Sequence, residues 1–497
     1  MSTSYQPLGP AGCSPALVPT RSSDVPMSDR LNLYDTNQSS SRSPSPQPGG
    51  EYDNYRYNNS SQLESKGLVN EPEYRLYKRR WFGLAELTLL NFAVGWGYAA
   101  PGVVSSTATK WYGISFQELN NLSIISALVF LIPAPFTIWT LNKYGPKMCI
   151  IIACVLTVIG NWVIFAGAAT KNFPVNIAGT VIHSLASPFI MASPTRYSRQ
   201  WFGDKGRTLA TALPSLAYPL GSGVGSLSGP YMVKPVGPLD YSGQALIIAL
   251  VFTAAAIPAP FLPKAPPTPP SNVSTMQSQL TLVENLKSLF TNPVFYLQFI
   301  GFSIFAGAID TVISVTNQAL NPYKYPQTDA GYAIAILIFV GVAVACLLSP
   351  ILDRTGKHLT ALKIIVLMIA TGYTVLPWMP GTGSIAAFYV VYAWIGASCL
   401  SVEPCVLELR ADWTHPVSPE FSSVIGWCGA KATGAIFIVL VGNVLVIKEE
   451  GEAGQPLGSL FYGLIFIAVA CWVCVPLSLM NGFWIFKRQA RSQFATK

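Results

Sequence analysis

Two oppositely charged side chains stand deep inside long apolar runs of the sequence. Asp310 lies within the run that begins near residue 293, and Lys431 lies within the run that begins near residue 421. A charge in such a run is costly unless it faces a cavity, water or an opposite charge. We therefore predict that both side chains contact a bound solute in a cavity. A structural salt bridge between them is the alternative, and such a pair is weak evidence of stability.

Glu403 and Trp96 are two further candidates for contact with a bound solute. Glu403 stands inside an apolar run, directly before Pro404. Trp96 lies around the middle of the first apolar run, although tryptophan usually prefers the membrane interface. Its ring face can receive a cationic headgroup, and packing in the core is the alternative. The predicted binding set is Trp96, Asp310, Lys431 and Glu403.

The composition excludes an ordinary soluble protein. Of the 497 residues, 51% are hydrophobic and 11% are charged, whereas soluble proteins carry about 25% charged residues. The net charge of +8 comes from bases in alternate loops, which favours a topology signal over a nucleic-acid surface. Nearly all of the nine cysteines fall in apolar runs, and the sequence offers no Cys-His cluster, catalytic triad or phosphate loop. We expect no enzyme activity, no catalytic residues, no metal site and no cofactor.

The apolar runs divide the chain into five parts. Residues 1–80 are rich in Ser, Pro, Tyr and Asn, so we predict a disordered N-terminal tail. Six runs, each long enough for the roughly 20 residues of a membrane span, fill residues 81–262. A Pro-rich linker at 263–290 precedes six more runs at 291–487, and 488–497 is a short tail. The sequence predicts an all-α membrane protein with twelve transmembrane helices in two six-helix halves.

Lysine and arginine mark one side of the predicted bundle. They collect before the first run and in alternate loops up to the C-terminal tail, while the opposite loops carry few bases. Cytoplasmic loops of membrane proteins show this excess. We therefore predict that both tails and the central linker are cytoplasmic, in the plasma membrane or in a vacuolar or lysosomal membrane.

Two short basic loops share one pattern. The sequence has Asp-Arg-Thr-Gly-Lys at 353–357 and a weaker copy, Asn-Lys-Tyr-Gly-Pro-Lys, at 142–147. Glycine permits a tight turn, bases lie against lipid headgroups, and a carboxylate can lock neighbouring helix ends. The pattern resembles the loop signature of the major facilitator superfamily, and its repetition indicates two halves built to one plan. The predicted conformational gate consists of Asn142, Lys143, Lys147, Asp353, Arg354 and Lys357.

A strip of glycines indicates close helix packing. Gly221, Gly225 and Gly229 recur every four residues and are followed by Pro230. This spacing places a bare strip on one helix face, which lets another backbone approach closely. The strip also resembles part of an antiporter element in the same superfamily, which is the alternative interpretation.

Longer segments resemble the feline leukaemia virus subgroup C receptor-related transporters. They are the stretch 193–203, Leu407–Leu409 followed by 414–420, and Gly307-Ala308 with Asn317-Gln318. The resemblance implies a facilitator for choline and ethanolamine. Haem export is also ascribed to that family, and a lysosomal relative is linked to pyridoxine.

The resemblance also assigns roles to single positions. Trp96 matches the family's helix 1 tryptophan that cages the choline ammonium. At the family's helix 7 cage tyrosine this chain has Asp310, and at two glutamine positions in helices 11 and 5 it has Lys431 and Pro219. An acid and a base suit a zwitterion, an amine or proton-coupled transport better than a bare aromatic cage does.

The sequence therefore predicts a multi-pass transporter that moves a small organic solute through the lipid bilayer by alternating access. The expected solute is an amine or zwitterion similar to choline or ethanolamine, with proton coupling as an option and no nucleic acid as a partner. A haem carrier or a pyridoxine-like vitamin carrier is the alternative within the family. A non-transporting membrane receptor or sensor is the alternative from another class.

Overall fold

The computed structural model describes residues 75–268, 282–414, 417, 419–449 and 454–495. For some residues inside these ranges, among them Asp353 and Glu408, only the backbone is described. Residues 1–74, which make up most of the predicted N-terminal tail, lie outside the described residues, as do residues 269–281 of the predicted linker.

Fifteen α-helices account for most of the described chain. In chain order they are α1 Arg80–Val103, α2 Ser105–Tyr112, α3 Phe116–Leu131, α4 Ala134–Tyr144, α5 Pro146–Ala169, α6 Phe173–Trp201, α7 Asp204–Met232, α8 Tyr241–Ala256, α9 Leu282–Phe290, α10 Pro293–Leu320, α11 Gln327–Thr355, α12 His358–Val375, α13 Ile385–Trp413, α14 Pro419–Val439 and α15 Phe461–Ala495. Short 3₁₀ turns follow α8, α10 and α12, and a π-helical turn, Leu440–Val444, extends α14. The predicted all-α class is confirmed.

Nine of the described helices are each long and apolar enough to cross a membrane. Two bent pairs meet the same criteria together: α1 with α2, bent by 68°, and α3 with α4, bent by 45°. A proline stands near each break, Pro101 in the last turn of α1 and Pro133 directly before α4, where it removes a helical hydrogen bond. The remaining expected span is α7, whose 29 residues extend about 43 Å. The nine helices and two bent pairs give eleven apolar spans. The predicted total of twelve transmembrane helices is reached only if α7, which qualifies by its length, also crosses the membrane.

Polar caps fix the start of two helices that carry the site. The Asn172 side chain accepts a hydrogen bond from the Val175 backbone at the start of α6, and Asn292 accepts one from Val294 at the start of α10. Such caps satisfy N–H groups that the first helical turn leaves free. The Asn292 amide also donates to the Trp413 carbonyl at 2.8 Å, which ties the start of α10 to the end of α13.

Two large hydrophobic cores form, one mainly from α1–α8 and one mainly from α10–α15, beside a small cluster around Val104 and Tyr241. Members of the first core are Leu87, Leu90, Cys154, Ile190 and Phe252. Members of the second are Val312, Ile369, Tyr373, Tyr392 and Ile467. Phe421 and Val424 of α14 belong to the first core, so the two parts of the chain are also packed against each other. We refer to residues 80–262 as the first half and to residues 282–495 as the second half. The bounds 81–262 and 291–487 of the two bundles stay a prediction.

The glycine strip of α7 lies directly against the backbone of α1. A Cβ atom at Gly225 would be 2.6 Å from the Trp96 carbonyl oxygen, and one at Gly229 would be 2.5 Å from that of Ala100. A Cβ atom at Gly221 would collide with the carbonyl group of Phe92. The packing interpretation of the strip is therefore confirmed, because only glycine lets the two helices approach this closely.

We expect Gly225→Ala to loosen the contact between α1 and α7. Overpacking of a close contact costs about 1–3 kcal/mol, so the apparent melting temperature of the purified protein should fall. Gly206→Ala on the same helix is the matched control, because a Cβ atom there meets only the Phe202 ring at an ordinary 3.5 Å. Equal melting temperatures for the two variants would contradict the packing role of the strip.

Candidate functional site

A cavity of about 210 Å³ lies between the two halves. Most of its wall comes from the first half, from α1–α3 and α5–α8, and among the described residues the second half contributes only α10 and α14. The acid and the base of its wall both come from the second half, Asp310 on α10 and Lys431 on α14. Two of the four predicted binding residues are thus brought together at one cavity.

Asp310 and Lys431 form an ion pair in the cavity wall. The Lys431 ammonium donates to the Asp310 carboxylate at 2.6 Å, and 14% and 21% of the two side chains are exposed. The salt bridge and the cavity position, which were alternatives at the level of sequence, are both present. Removing one partner of such a pair leaves an uncompensated charge in a poorly hydrated place. The pair is therefore stable only as a unit, or when a ligand charge replaces one partner.

Hydroxyl groups surround the ion pair. The Tyr98 and Ser314 hydroxyls lie 3.0 Å apart, and the Ser314 hydroxyl donates to the Asp310 backbone carbonyl at 2.9 Å. Tyr218 of α7 completes this part of the wall. Ser314 was detectable from sequence, because it follows Asp310 by one helical turn and shares its face. Tyr218 carried no such signal, since its position depends on how α7 packs.

Trp96 and Glu403 do not line the cavity. The Trp96 indole donates to the Ser228 hydroxyl at 2.9 Å, and its ring packs against the first core. Its neighbours Gly97 and Tyr98 face the cavity instead, because each helical residue turns the side-chain direction by about 100°. Glu403 is half-buried on α13, away from the cavity wall.

Both predicted gate loops turn at a glycine with positive φ. Gly145 has φ 78° between α4 and α5, and Gly356 has φ 64° between α11 and α12. Other residues are strained in that region, so glycine is what allows the successive helices to join by such short turns. The tight turns expected from the sequence are confirmed.

The gate residues themselves lie at the surface. Asn142, Lys143, Arg354 and Lys357 are exposed, and Lys147 is half-buried. The Lys143 ammonium stands 4.9 Å from the centre of the Trp139 ring, a cation–π distance. The Asp353 side chain lies outside the described residues. The gating role of these loops stays a prediction.

Neutral hydrogen bonds join the two halves at the end of the bundle opposite these loops. The Ser105 hydroxyl donates to the Asn317 amide oxygen at 2.9 Å. The Asn120 amide donates to Gln318 at 3.1 Å and to Asn443 at 3.2 Å. We call these five residues the clasp. Sequence reasoning singled out Asn317 and Gln318 only as part of a resemblance and missed their partners, which lie far away along the chain.

A family model described as Major Facilitator Superfamily matches residues 87–412, which is well over half of the chain. The match covers both gate loops and the Asp310 position.

Relatives from several animals cover most of the chain. "Solute carrier family 49 member A3" of Danio rerio is 25% identical over 411 residues, 76% of this chain and 83% of that protein. "Choline/ethanolamine transporter FLVCR2" of Homo sapiens is 24% identical over 447 residues, 87% of this chain and 82% of that protein. "Choline/ethanolamine transporter FLVCR1" of Felis catus is 25% identical, over 80% of this chain and 74% of that protein. The resemblance drawn from the loop segments is confirmed.

Solved structures share the fold at lower identity. The fucose:proton symporter of E. coli aligns with a TM-score of 0.57 and 12% identity, over 81% of this chain and 99% of that chain. A D-xylose-proton symporter aligns with a TM-score of 0.62 and 14% identity, over 81% of this chain and 97% of that chain. Fold and family match together confirm the prediction of a multi-pass membrane transporter rather than an enzyme. The chain belongs to the Major Facilitator Superfamily.

Proposed function

We propose that this chain carries a small organic amine or zwitterion across the membrane by alternating access, and that the substrate contacts Asp310 and Lys431. The observation that supports this most is the ion pair of 2.6 Å in the wall of a cavity between the halves. Substrate sites of such transporters lie near the bilayer midplane at the junction of the two repeats. Trp96 and Glu403 are left out of the proposed contacts because they lie outside the cavity wall.

A zwitterion can replace the ion pair charge for charge. Its ammonium group takes the place of Lys431 at Asp310, and its carboxylate takes the place of Asp310 at Lys431. Neither protein charge is then left uncompensated, which matters because an unpaired charge at this depth costs several kcal/mol. A simple cation at Asp310 leaves the Lys431 ammonium without its partner, so Lys431 must then release its proton or bind an anion. Exchange of the cation for the Lys431 proton is the form of proton coupling that follows from this constraint.

The clasp and the gate loops lie at opposite ends of the bundle, as alternating access requires. In this conformation the clasp holds the two halves together at one end. We infer that the gate loops control the other end, and that this end is cytoplasmic, since the loops with most Lys and Arg residues lie there. Both tails are then cytoplasmic, in the plasma membrane or in a vacuolar or lysosomal membrane.

Single cysteines test this orientation. Cysteines at Lys147 and Lys357, in a background without the nine native cysteines, should react with a membrane-impermeant maleimide only from the cytoplasmic side. A cysteine at Lys324, in the turn between α10 and α11, should react only from the opposite side. Labelling of positions 357 and 324 from the same side rules out the proposed topology.

Asp353→Asn tests the gate. A carboxylate and a base at helix ends can bridge in one state and part in the other, so we expect slower transport with equilibrium binding within a few-fold of the wild type. The measurements are ethanolamine uptake into proteoliposomes and ethanolamine binding to detergent-purified protein. Thr355→Ser in the same loop is the control. Severe loss of binding with a normal rate of transport would refute the gating role.

Asp310→Asn and Lys431→Gln test the substrate site. Each single change should lower protein yield, because breaking one side of a buried pair costs about 3–5 kcal/mol, and should abolish accumulation of ethanolamine and carnitine. The double change should restore yield but not accumulation, since the charges that bind the substrate are gone. Asp329→Asn, an acid at the start of α11 bonded to Tyr389 at 3.3 Å, is the control. Normal accumulation by the double variant would make the pair purely structural.

A further inference from the structure

The chain bends sharply where α1 meets α2, and residues on both sides of the bend line the cavity. The axis of α2 makes an angle of 68° with that of α1, so α2 runs more across the bundle than along it. Pro101 and Gly102 line the cavity just before the bend, and Ser105, the first residue of α2, lines it just after. The bend therefore forms part of the cavity wall.

Contacts with the first half fix the far end of α2. The Trp111 indole donates to the Ala168 carbonyl at 2.9 Å, and the Tyr112 hydroxyl accepts a hydrogen bond from the Asn176 amide at 2.8 Å. Ala108, one helical turn earlier, is fully buried. Because these partners lie on α5 and α6, α2 is attached to the first half and moves with it.

Three hydroxyl groups at the start of α2 bond to the second half instead. Ser105 donates to Asn317 of α10 and belongs to the clasp. The Ser106 hydroxyl donates to the Gln327 amide oxygen at 3.0 Å, and the Thr107 hydroxyl donates to the same oxygen at 3.1 Å. An amide oxygen has two lone pairs, so these two bonds use both. Gln327 is the first residue of α11, and α2 is thus bonded to two helices of the second half.

The Gln327 amide nitrogen limits how strongly this contact is favoured. The nitrogen is buried and has no hydrogen-bond partner among the described residues. An unpaired buried donor destabilises the state in which it is buried, and separation of the halves would expose it to water. Two bonds therefore favour the contact between α2 and α11, and one unpaired group opposes it.

We propose that α2 closes the cavity at the clasp end, and that Gln327 is a positioning residue that holds α2 closed. The bonds of Ser106 and Thr107 to Gln327 are neutral, so they break without leaving an unpaired charge. When they break together with the clasp, α2 moves away with the first half, and the cavity opens beside Pro101. The inference goes beyond the proposed function, because it concerns the conformational cycle and requires no particular substrate.

Distances between spin labels test the proposal without any substrate. Nitroxides on Lys110→Cys and Lys324→Cys, two exposed positions, report the α2 end, and a pair on Lys147→Cys and Lys357→Cys reports the gate-loop end. Double electron–electron resonance is recorded on the full-length protein in nanodiscs, in a background without the native cysteines. Gln327→Met should raise the ratio of long to short distances at the α2 end at least about 5-fold. The gate-loop pair should shift to shorter distances, as alternating access requires.

Matched variants control for the glutamine change itself. Gln455→Met makes the same change at a glutamine whose partner, the Tyr323 hydroxyl at 2.5 Å, lies in the same half, so both distances should stay as in the wild type. The double change Ser106→Ala with Thr107→Val removes the two Gln327 bonds from the side of α2. It should reproduce the shift, and it carries the test if Gln327→Met does not fold. Adding Gln327→Met to it should produce no further shift, because the same bonds are already absent.

The outcomes separate this role from the proposed function. Unchanged distances in Gln327→Met and in the double variant overturn the proposal, and so does an equal shift in Gln455→Met. Longer distances at the α2 end with an unchanged gate-loop pair also overturn it, because they indicate only local loosening of α2. If Gln327→Met gives both shifts while Asp310→Asn accumulates ethanolamine normally, the closing role stands and the proposed substrate site fails.

Discussion

The ion pair between Asp310 and Lys431 limits which ligands the cavity can bind, because neither charge can be left without a partner. Two opposite charges 2.6 Å apart in a poorly hydrated part of a membrane protein cannot be separated without a replacement for each. Both charges come from the second half, whereas the first half lines the same cavity with amide and hydroxyl side chains and with His183. The chemistry of the cavity is therefore divided: one half supplies charge, and the other supplies most of the shape and the uncharged hydrogen-bonding groups.

The sequence predicted the all-helical architecture, the gate turns and the glycine contact, and it singled out Asp310 and Lys431 with their salt bridge as one of two interpretations, because each of these features has a local signal in the sequence. Long apolar runs give the spans, and a lone acid or base inside a run is unusual enough to notice. The sequence carries no such signal for the side on which a helix packs against its neighbours. Trp96 and Tyr98 are two residues apart, yet one packs against the core and hydrogen-bonds to Ser228 while the other lines the cavity. The packing of α5, α6, α7 and α8 alone decides that Tyr218, His183 and Gln244 line the cavity.

The clasp shows the same limit for contacts between the halves. Its donors and acceptors are ordinary Ser, Asn and Gln side chains, and Ser105 and Asn317 are separated by most of the first half and the linker. One neutral hydrogen bond contributes only about 0.5–1.5 kcal/mol net. A few such bonds are therefore weak enough to break when the two halves separate at this end during transport. An ion-pair clasp of similar geometry would hold the halves more tightly.

The bare face of α7 against α1 has a mechanical consequence. Where two backbones touch, no side chain is left between them to change rotamer, so the contact cannot adjust in small steps. The two helices then form one rigid unit, which carries the cavity residues Tyr98 on α1 and Tyr218 on α7. Motion of the transporter must therefore be taken up at contacts other than this one, and Tyr98 and Tyr218 move together.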